Sequence, residues 1–257
     1  MNIACWNCHN LNSHPNQKIR ENRCNYRSYL QSRIKAGLKM ELDVIFLSEV
    51  EENYKNSPLA SADLTEFVPC KELDEGWNLM SSGILLYHTP AVSLDDSYKL
   101  ILPVSDAAKA NPDWQYGFAV KTTLKKGNES VDAVFFWNTK RKNTPSHGYG
   151  ATFNFLLDRL LKLNFFDGKS WLIAGDFNLS YSEVDSRCRQ KIRNGYTLQG
   201  QTNTYFRSFK DQNYCSDLDH LVSSSDTAEM ISIKGLNPDD FVGKGLSDHL
   251  PIIFRTR

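Results

Sequence analysis

Apolar positions along the chain fall into short runs bounded by turn residues, and nine of these runs read as strands. They are "NIACWN" (2–7), "DVIFLSEV" (43–50), "SGILLYH" (82–88), "GFAVKTTL" (117–124), "VDAVFFWNTK" (131–140), "WLIAGDFN" (171–178), "LDHLVSS" (218–224), "MISIKGL" (230–236) and "PIIFRTR" (251–257). Several are apolar at successive positions rather than alternate ones, as expected of strands buried on both faces. Helical spacing appears in two longer stretches. Tyr26, Leu30, Ile34 and Leu38 lie four apart within Tyr26–Leu42, and Phe153, Leu156, Leu157, Leu160 and Leu161 form a stripe within Tyr149–Leu163. Strands outnumber helices and the two are interleaved, which predicts sheets packed face to face with helices outside. Ala91–Gln115 is polar and holds Pro103 and Pro112, and is expected to be a long surface excursion. Val184–Tyr196, "VDSRCRQKIRNGY", has helical potential and a basic surface, either solvated or a wall that holds phosphates.

Bulk properties narrow the picture. The chain has 257 residues, enough for one large domain, expected to span 1–257. Lys+Arg and Asp+Glu are both 30, so no overall basic field announces a polyanionic partner, although a local groove is compatible with a neutral total. No apolar run reaches the roughly 18–20 residues needed to span a bilayer. The opening "MNIACWN" lacks the features of an export signal, so a cytoplasmic location is expected. Cys5-x-x-Cys8-His9 matches the spacing that attaches a c-type haem. The missing export signal argues against haem, and Cys24, Cys70, Cys188 and Cys215 form no second close pair that would build a zinc site or a disulfide framework.

The chemistry gathers at strand ends. "WLIAGDFN" delivers Asp176 and Asn178 to a loop, where either alone could be only a turn cap. "GLSDHLPII" brings Ser247, Asp248 and His249 together before a closing strand. "DVIFLSEV" ends in Glu49, an ionised carboxylate after an apolar run, which needs water, a cation or donors.

Taken together these motifs resemble the endonuclease/exonuclease/phosphatase superfamily, the fold of pancreatic-type deoxyribonuclease, abasic-site endonucleases, inositol polyphosphate 5-phosphatases and sphingomyelinases. The likeness runs from Ile3 to Phe254. "ACWN" is similar to the first-strand motif ending in a metal-site asparagine, Asn7; "FLSEV" to the metal-binding glutamate motif, Glu49; "GDFN" to the pair that positions water and phosphate, Asp176 and Asn178. "DLDHLV" supplies Asp219, and "SDHLPI" supplies Asp248 and His249. The resemblance implies a four-layer α/β/β/α sandwich of two packed mixed sheets flanked by helices. It also implies a metal-dependent phosphodiester hydrolase, most readily a nuclease acting on nucleic acid. Glu49 and Asn7, with Asp248, would hold Mg²⁺ or Mn²⁺, which prefer hard oxygen ligands. Asp219 would orient His249, Asp176 would align the attacking water, and Asn178 would contact the phosphate.

If Asn7 is the functional residue of the first strand, Cys5 shares its face while Trp6 and Cys8 take the other, and the haem spacing is coincidental. One departure concerns the substrate. The family generally places a histidine or tyrosine after the central strand, whereas "FFWNTKRK" puts Lys140 there. Asn138, Lys140 or Arg141 is expected to take the phosphate contact, with His147 close by in sequence. The alternatives are a phosphomonoesterase acting on an inositol or other small phosphate, and a binding module of the same fold with weakened turnover. Trp114, Tyr116 and Tyr149 are aromatic residues that either stack on a base or join the core. His9, His14 and His88 carry no expected role, and His220 is expected to pack opposite Asp219.

Overall fold

The structure, a computed structural model, describes residues 1–8, 26–49, 68–69, 84–102, 117–138, 149–200, 204–208, 211–242 and 247–257. In chain order the elements are β1 (Asn2–Asn7), α1 (Tyr26–Leu38), β2 (Val44–Ser48), β3 (Val68–Pro69), β4 (Ile84–His88), β5 (Ser93–Leu102), β6 (Gly117–Lys126) and β7 (Glu129–Trp137). They continue with α2 (Tyr149–Lys162), β8 (Trp171–Asp176), α3 (Tyr181–Lys191), β9 (Thr197–Gly200), β10 (Tyr205–Ser208), β11 (Asp211–Ser216), β12 (Asp219–Ser223), β13 (Ala228–Met230) and β14 (Ile252–Thr256). A five-stranded sheet runs β13-β14-β1-β2-β4 and a seven-stranded sheet β3-β5-β6-β7-β8-β12-β9, with β10 and β11 paired separately. Each large sheet is mixed and has one parallel pair, β1 with β2 and β7 with β8.

Strand parity sorts the side chains into three apolar layers. Ile3, Cys5, Val44, Phe46 and Leu86 meet Val120, Phe135, Trp137, Leu172, Ala174 and Leu221 between the sheets. Phe46 stacks on Phe135 there, with ring centroids 5.4 Å apart. On the outer face of the five-stranded sheet, Ala4, Trp6, Ile45 and Leu47 pack under Leu30 and Ile34 of α1. On the outer face of the seven-stranded sheet, Val134, Phe136, Ile173 and Val222 pack under Phe153, Leu156, Leu157 and Leu160 of α2 and under Val184 and Cys188 of α3. Cys5 and Cys8 thus lie in different layers on opposite faces of β1. The two edges are tied at one corner. Gln199 of β9 donates its side-chain amide to Ala228 O (3.0 Å) and accepts from Met230 N (2.7 Å) on β13.

Two sequence expectations change, and a third is given its bounds. The excursion expected at Ala91–Gln115 contains the ten-residue β5, paired with β6; Asp95 and Asp96, and a register shift between Asp95 and Tyr98, break the alternation that would mark a strand, while 103–116 lie outside the described residues. The strand expected over 230–236 ends at Met230, after which the backbones of Gly37 and Gly235 approach so closely that a Cβ on Gly37 would lie 2.6 Å from Gly235 O. The basic stretch forms α3, started by Glu183, which accepts from the Ser180 N–H at 3.0 Å and from its hydroxyl at 2.8 Å. Two of its cations form surface ion pairs within the chain: Arg189 with Asp185 and Lys191 with Asp158.

Candidate active site

The site lies at one end of the space between the sheets, where β1 and β2 finish opposite β8 and β12. Along β8, Leu172, Ala174 and Asp176 face inward, and along β12 Asp219 and Leu221 do the same, with Asp176 directly across from Asp219 in the antiparallel register. Two backbone features turn the loops here. Gly175 has φ +138°, and a Cβ on it would come within 2.0 Å of Phe136 O, so β8 can lie against β7 at this point only with glycine. Glu49 and Asn178 both have positive φ, 56° and 48°. Non-glycine residues seldom adopt this conformation, and here both sit where a strand hands a polar side chain to the site.

Asn7 joins the two sheets. Its Nδ2 donates to Glu49 Oε1 (3.2 Å) and to Asp176 Oδ2 (2.8 Å). Asn178 grips the same carboxylate through its backbone N–H (2.9 Å to Oδ1) and its Nδ2 (2.8 Å to Oδ2), and Nδ2 also donates to Asn138 O at 2.7 Å. His249 and Asp219 form a buried pair, Nδ1 to Oδ2 2.9 Å, and His249 Nε2 lies 3.8 Å from Asp248 Oδ1. The segment carrying His249 is latched to β1: His249 N–H donates to Ser247 Oγ, the Ser247 hydroxyl donates to Asn7 O at 2.6 Å, and Trp6 Nε1 donates to His249 O. Tyr205 pairs its backbone with His249 and sets its ring edge-on to the imidazole, centroids 5.1 Å apart.

These contacts set the electrostatics. Burial pushes the Asp176 carboxyl up; His249 and the Asn7 hydrogen bond oppose this, Asp219 and Glu49 add to it, and the result is about 8. Burial works against a charged His249, but Asp219, Asp176 and Asp248 outweigh it and raise the imidazole to about 10. Tyr149, half-buried at the start of α2, is pushed up to about 12 by burial and by the charges of Asp176, Glu49 and Tyr205. Cys5 is raised well above its ordinary value by burial and by Asp219, which leaves it a protonated core thiol.

Seven of the expected site residues, Asn7, Glu49, Asp176, Asn178, Asp219, Asp248 and His249, therefore converge. Asn138 is adjacent but turned away. It is fully buried, and its Nδ2 donates to Tyr149 O (2.9 Å) and Phe177 O (2.7 Å), so its amide donors hold the loop together instead of facing a ligand. Lys140, Arg141 and His147 lie outside the described residues, as do His9, His14, Trp114 and Tyr116. His220 points outward from β12 as expected, bonded to Leu179 O and edge-on to Phe177 and Tyr181. Tyr205 and Thr204 were not legible in the sequence. Thr204 Oγ1 accepts from the N–H groups of Leu218 and Asp219 and so fixes the start of β12, yet "TNTY" carries no signal beyond a turn.

A sequence profile described as the Endonuclease/Exonuclease/phosphatase family matches residues 4–249. The chain belongs to that family. The family's enzymes are hydrolases that act on phosphoester bonds and use divalent metals. No curated protein sequence matches the chain. Solved structures of the family have the same fold. D. rerio TDP2 complexed with a single-strand DNA product is 18% identical with TM-score 0.58, over 100% of this chain and 99% of that one. Truncated Caenorhabditis elegans TDP2 is 14% identical with TM-score 0.60, over 98% and 95%. The human Nocturnin catalytic domain with bound sulfate is 17% identical with TM-score 0.56, over 100% and 94%.

The donor set suits a divalent cation. Asp176, Asp219 and Asp248 act on one imidazole, and Asp176 is raised by burial first and then by the charges of Asp219 and Glu49. A bound cation would offset those charges. Asp176, Asp219 and His249 bring ligand atoms within 4.8 Å of one another. The 2.9 Å contact between His249 Nδ1 and Asp219 Oδ2 is, however, a hydrogen bond with a proton in it, too short to admit an ion between the two atoms. The oxygen donors on the Glu49 side leave that pair intact.

Proposed function

We propose that the chain is a Mg²⁺- or Mn²⁺-dependent phosphodiesterase that cleaves nucleic acid, with residues 1–257 forming one catalytic domain. The carrying observation is the buried His249–Asp219 pair facing an Asp176 carboxylate that Asn7 and Asn178 hold from two sides. The DNA product bound to D. rerio TDP2 supports a nucleic-acid strand as substrate.

In this reading Glu49, Asn7 and Asp248 hold the cation. When bound, the cation neutralises phosphate oxygens and so lowers the cost of bringing an anionic nucleophile to phosphorus. Asp176 orients the attacking water and takes its proton, a task suited to a carboxyl whose affinity for protons burial has raised toward neutrality. As the new P–O bond forms, the opposite ester bond breaks and its electron pair passes to the leaving oxygen. His249, kept protonated by Asp219 at Nδ1, offers Nε2–H to the phosphate and to that oxygen. Asn178 positions Asp176 and lines the phosphate's approach.

The test is nicking of supercoiled plasmid by wild type and His249→Ala, each with and without Mg²⁺. Metal-dependent nicking that is lost in the variant supports the proposal. Absence of nicking by wild type would overturn the nuclease reading, and phosphate release from small phosphoesters would then separate a phosphomonoesterase from a binding module.

A further inference from the structure

The buried pair at the centre of the site is divided between the two sheets. Asp219 starts β12 of the seven-stranded sheet, while His249 lies just before β14 of the five-stranded one. Between the sheets lies an apolar layer that includes Leu221 and Ile252. Packing of this kind holds two sheets at a set separation, but it is non-directional and does not fix how far one slides along the other. Yet His249 Nδ1 and Asp219 Oδ2 meet at 2.9 Å, and a hydrogen bond tolerates only a few tenths of an ångström around such a distance. Ser247 and Trp6 latch His249 to β1, which belongs to its own sheet, so they do not set its distance from Asp219.

Thr204 joins the two halves directly. It is fully buried at the foot of β10, a strand that belongs to neither large sheet. On one side its carbonyl accepts from the Leu250 N–H at 2.7 Å, and the next residue, Tyr205, pairs its backbone with His249. On the other side its Oγ1 accepts from the N–H groups of Leu218 (3.2 Å) and Asp219 (3.3 Å). The hydroxyl stands where sheet pairing gives out: the pairs between β12 and β9 run from Ser223 to His220, and β9 ends at Gly200 without reaching Asp219. The main chain of this residue thus holds the His249 segment while its side chain holds the start of β12. Threonine is stiff at χ1 because it branches at Cβ, so the separation between those two grips is itself restricted.

We propose that Thr204 is a positioning residue that sets Asp219 and His249 in register across the two sheets, so that the imidazole presents Nε2 to the phosphate in one orientation. This rests on the phosphoester-hydrolase reading above. Both oxygens of Thr204 face main-chain N–H groups, so its effect passes through the pair and falls on rate, with substrate binding left to other residues.

The experiment compares wild type with three variants at a temperature where all are folded. Thr204→Val keeps the shape and removes the oxygen, Thr204→Ser keeps the oxygen, and Ser224→Ala removes a buried hydroxyl that accepts from Trp171 N–H just beyond the far end of β12. Two readings are taken: the downfield proton resonance of the His249 Nδ1–H, which reports the bond to Asp219 without substrate or metal, and turnover of plasmid and small phosphoesters with Mg²⁺. Thr204→Val is expected to shift or lose the resonance and to lower kcat about 10- to 100-fold with little change in KM, and Thr204→Ser to restore both. Ser224→Ala is expected to melt earlier with both readings unchanged. A Thr204→Val protein that melts earlier but keeps both readings would make the residue a packing element and overturn the proposal. With an active wild type, a change in only one reading, or a Thr204→Ser protein that behaves like Thr204→Val, would overturn it too. Should Thr204→Val not fold, Thr204→Cys, whose sulfur is a weak acceptor, is read in the same way. If wild type cleaves no phosphoester, the hydrolase reading falls and the resonance alone decides: displaced in Thr204→Val and restored in Thr204→Ser, it keeps Thr204 as the residue that positions the pair; unmoved, it overturns that role. Absence of the resonance from wild type would also overturn the proposal.

Discussion

Asn7 and Asn138 occupy matching places in the two sheets. Asn7 ends β1 and Asn138 directly follows β7; β1 runs parallel to β2 and β7 to β8, and each asparagine is buried. Asn7 gives its amide to two carboxylates on different sheets, whereas Asn138 gives the same group to two main-chain carbonyls of the outer layer. The buried histidines divide in the same way. His249 is held charged by the acids around it; His220, on the other face of the strand that carries Asp219, is kept below its ordinary value by burial. Side-chain type and depth are nearly constant across both pairs. The face of the sheet decides whether the residue meets the carboxylate cluster of the proposed active site or holds the outer layer together.

The contrast can be broken most directly at the histidines. His249→Ala is expected to lower turnover by about 10²–10⁴-fold while the protein stays folded, as circular dichroism and single-turnover assays would show. His220→Ala should do the reverse, melting earlier with kcat retained once folded. If both lose turnover equally at temperatures where both are folded, the division by face is wrong. Next in size, Asn138→Ala strands two buried carbonyls and is expected to cost about 2–4 kcal/mol in urea unfolding, with turnover per folded molecule changed little.

Asn7→Ala sharpens the comparison on the other side. Its effect should fall on rate, about 10- to 100-fold, with a smaller loss of stability than Asn138→Ala. Because the Asn7 hydrogen bond holds the Asp176 value down, its removal raises that value further, and the acid limb of the pH–rate profile should move to higher pH. The smallest effect is on metal-free stability. His249 has a folded value of about 10 against 6.5 unfolded, so its protonation stabilises the fold fully below about pH 6.5 and this contribution is lost as pH rises toward 10. Asp176, raised from 3.8 to about 8, adds a loss that starts lower, as pH rises from about 3.8 toward 8. His220 acts on the acid side: its lowered value means that stability falls as pH drops through 6.5. The thermal midpoint without metal should therefore decline between pH 7 and 10, less so in His249→Ala.

Much of this was legible because polar residues that interrupt apolar runs are costly and few. Glu49, the Asp176–Asn178 pair and Ser247–His249 each follow or precede a run that is buried, and all of them meet. β5 was hidden by its own acids, and β10 and β11 by polar composition, since such strands show no alternation to read. Asn138 reads as a phosphate contact because it lies in the stretch where the family places its histidine or tyrosine. Sequence gives the alternation along a strand but not which face meets the second sheet. Tyr205 escaped for another reason: an aromatic residue at a half-buried position reads equally well as core.

The Gln199 bridge between β9 and β13 bears on behaviour far from the site. β9 and β13 are the outermost strands at one side of the sandwich, and an open strand edge is a template on which another chain can add. One amide spanning both edges seals that corner against recruitment of neighbours. Loss of the bridge would thus show itself first in concentrated solution, as self-association of otherwise native molecules, before any change in the melting temperature of dilute protein.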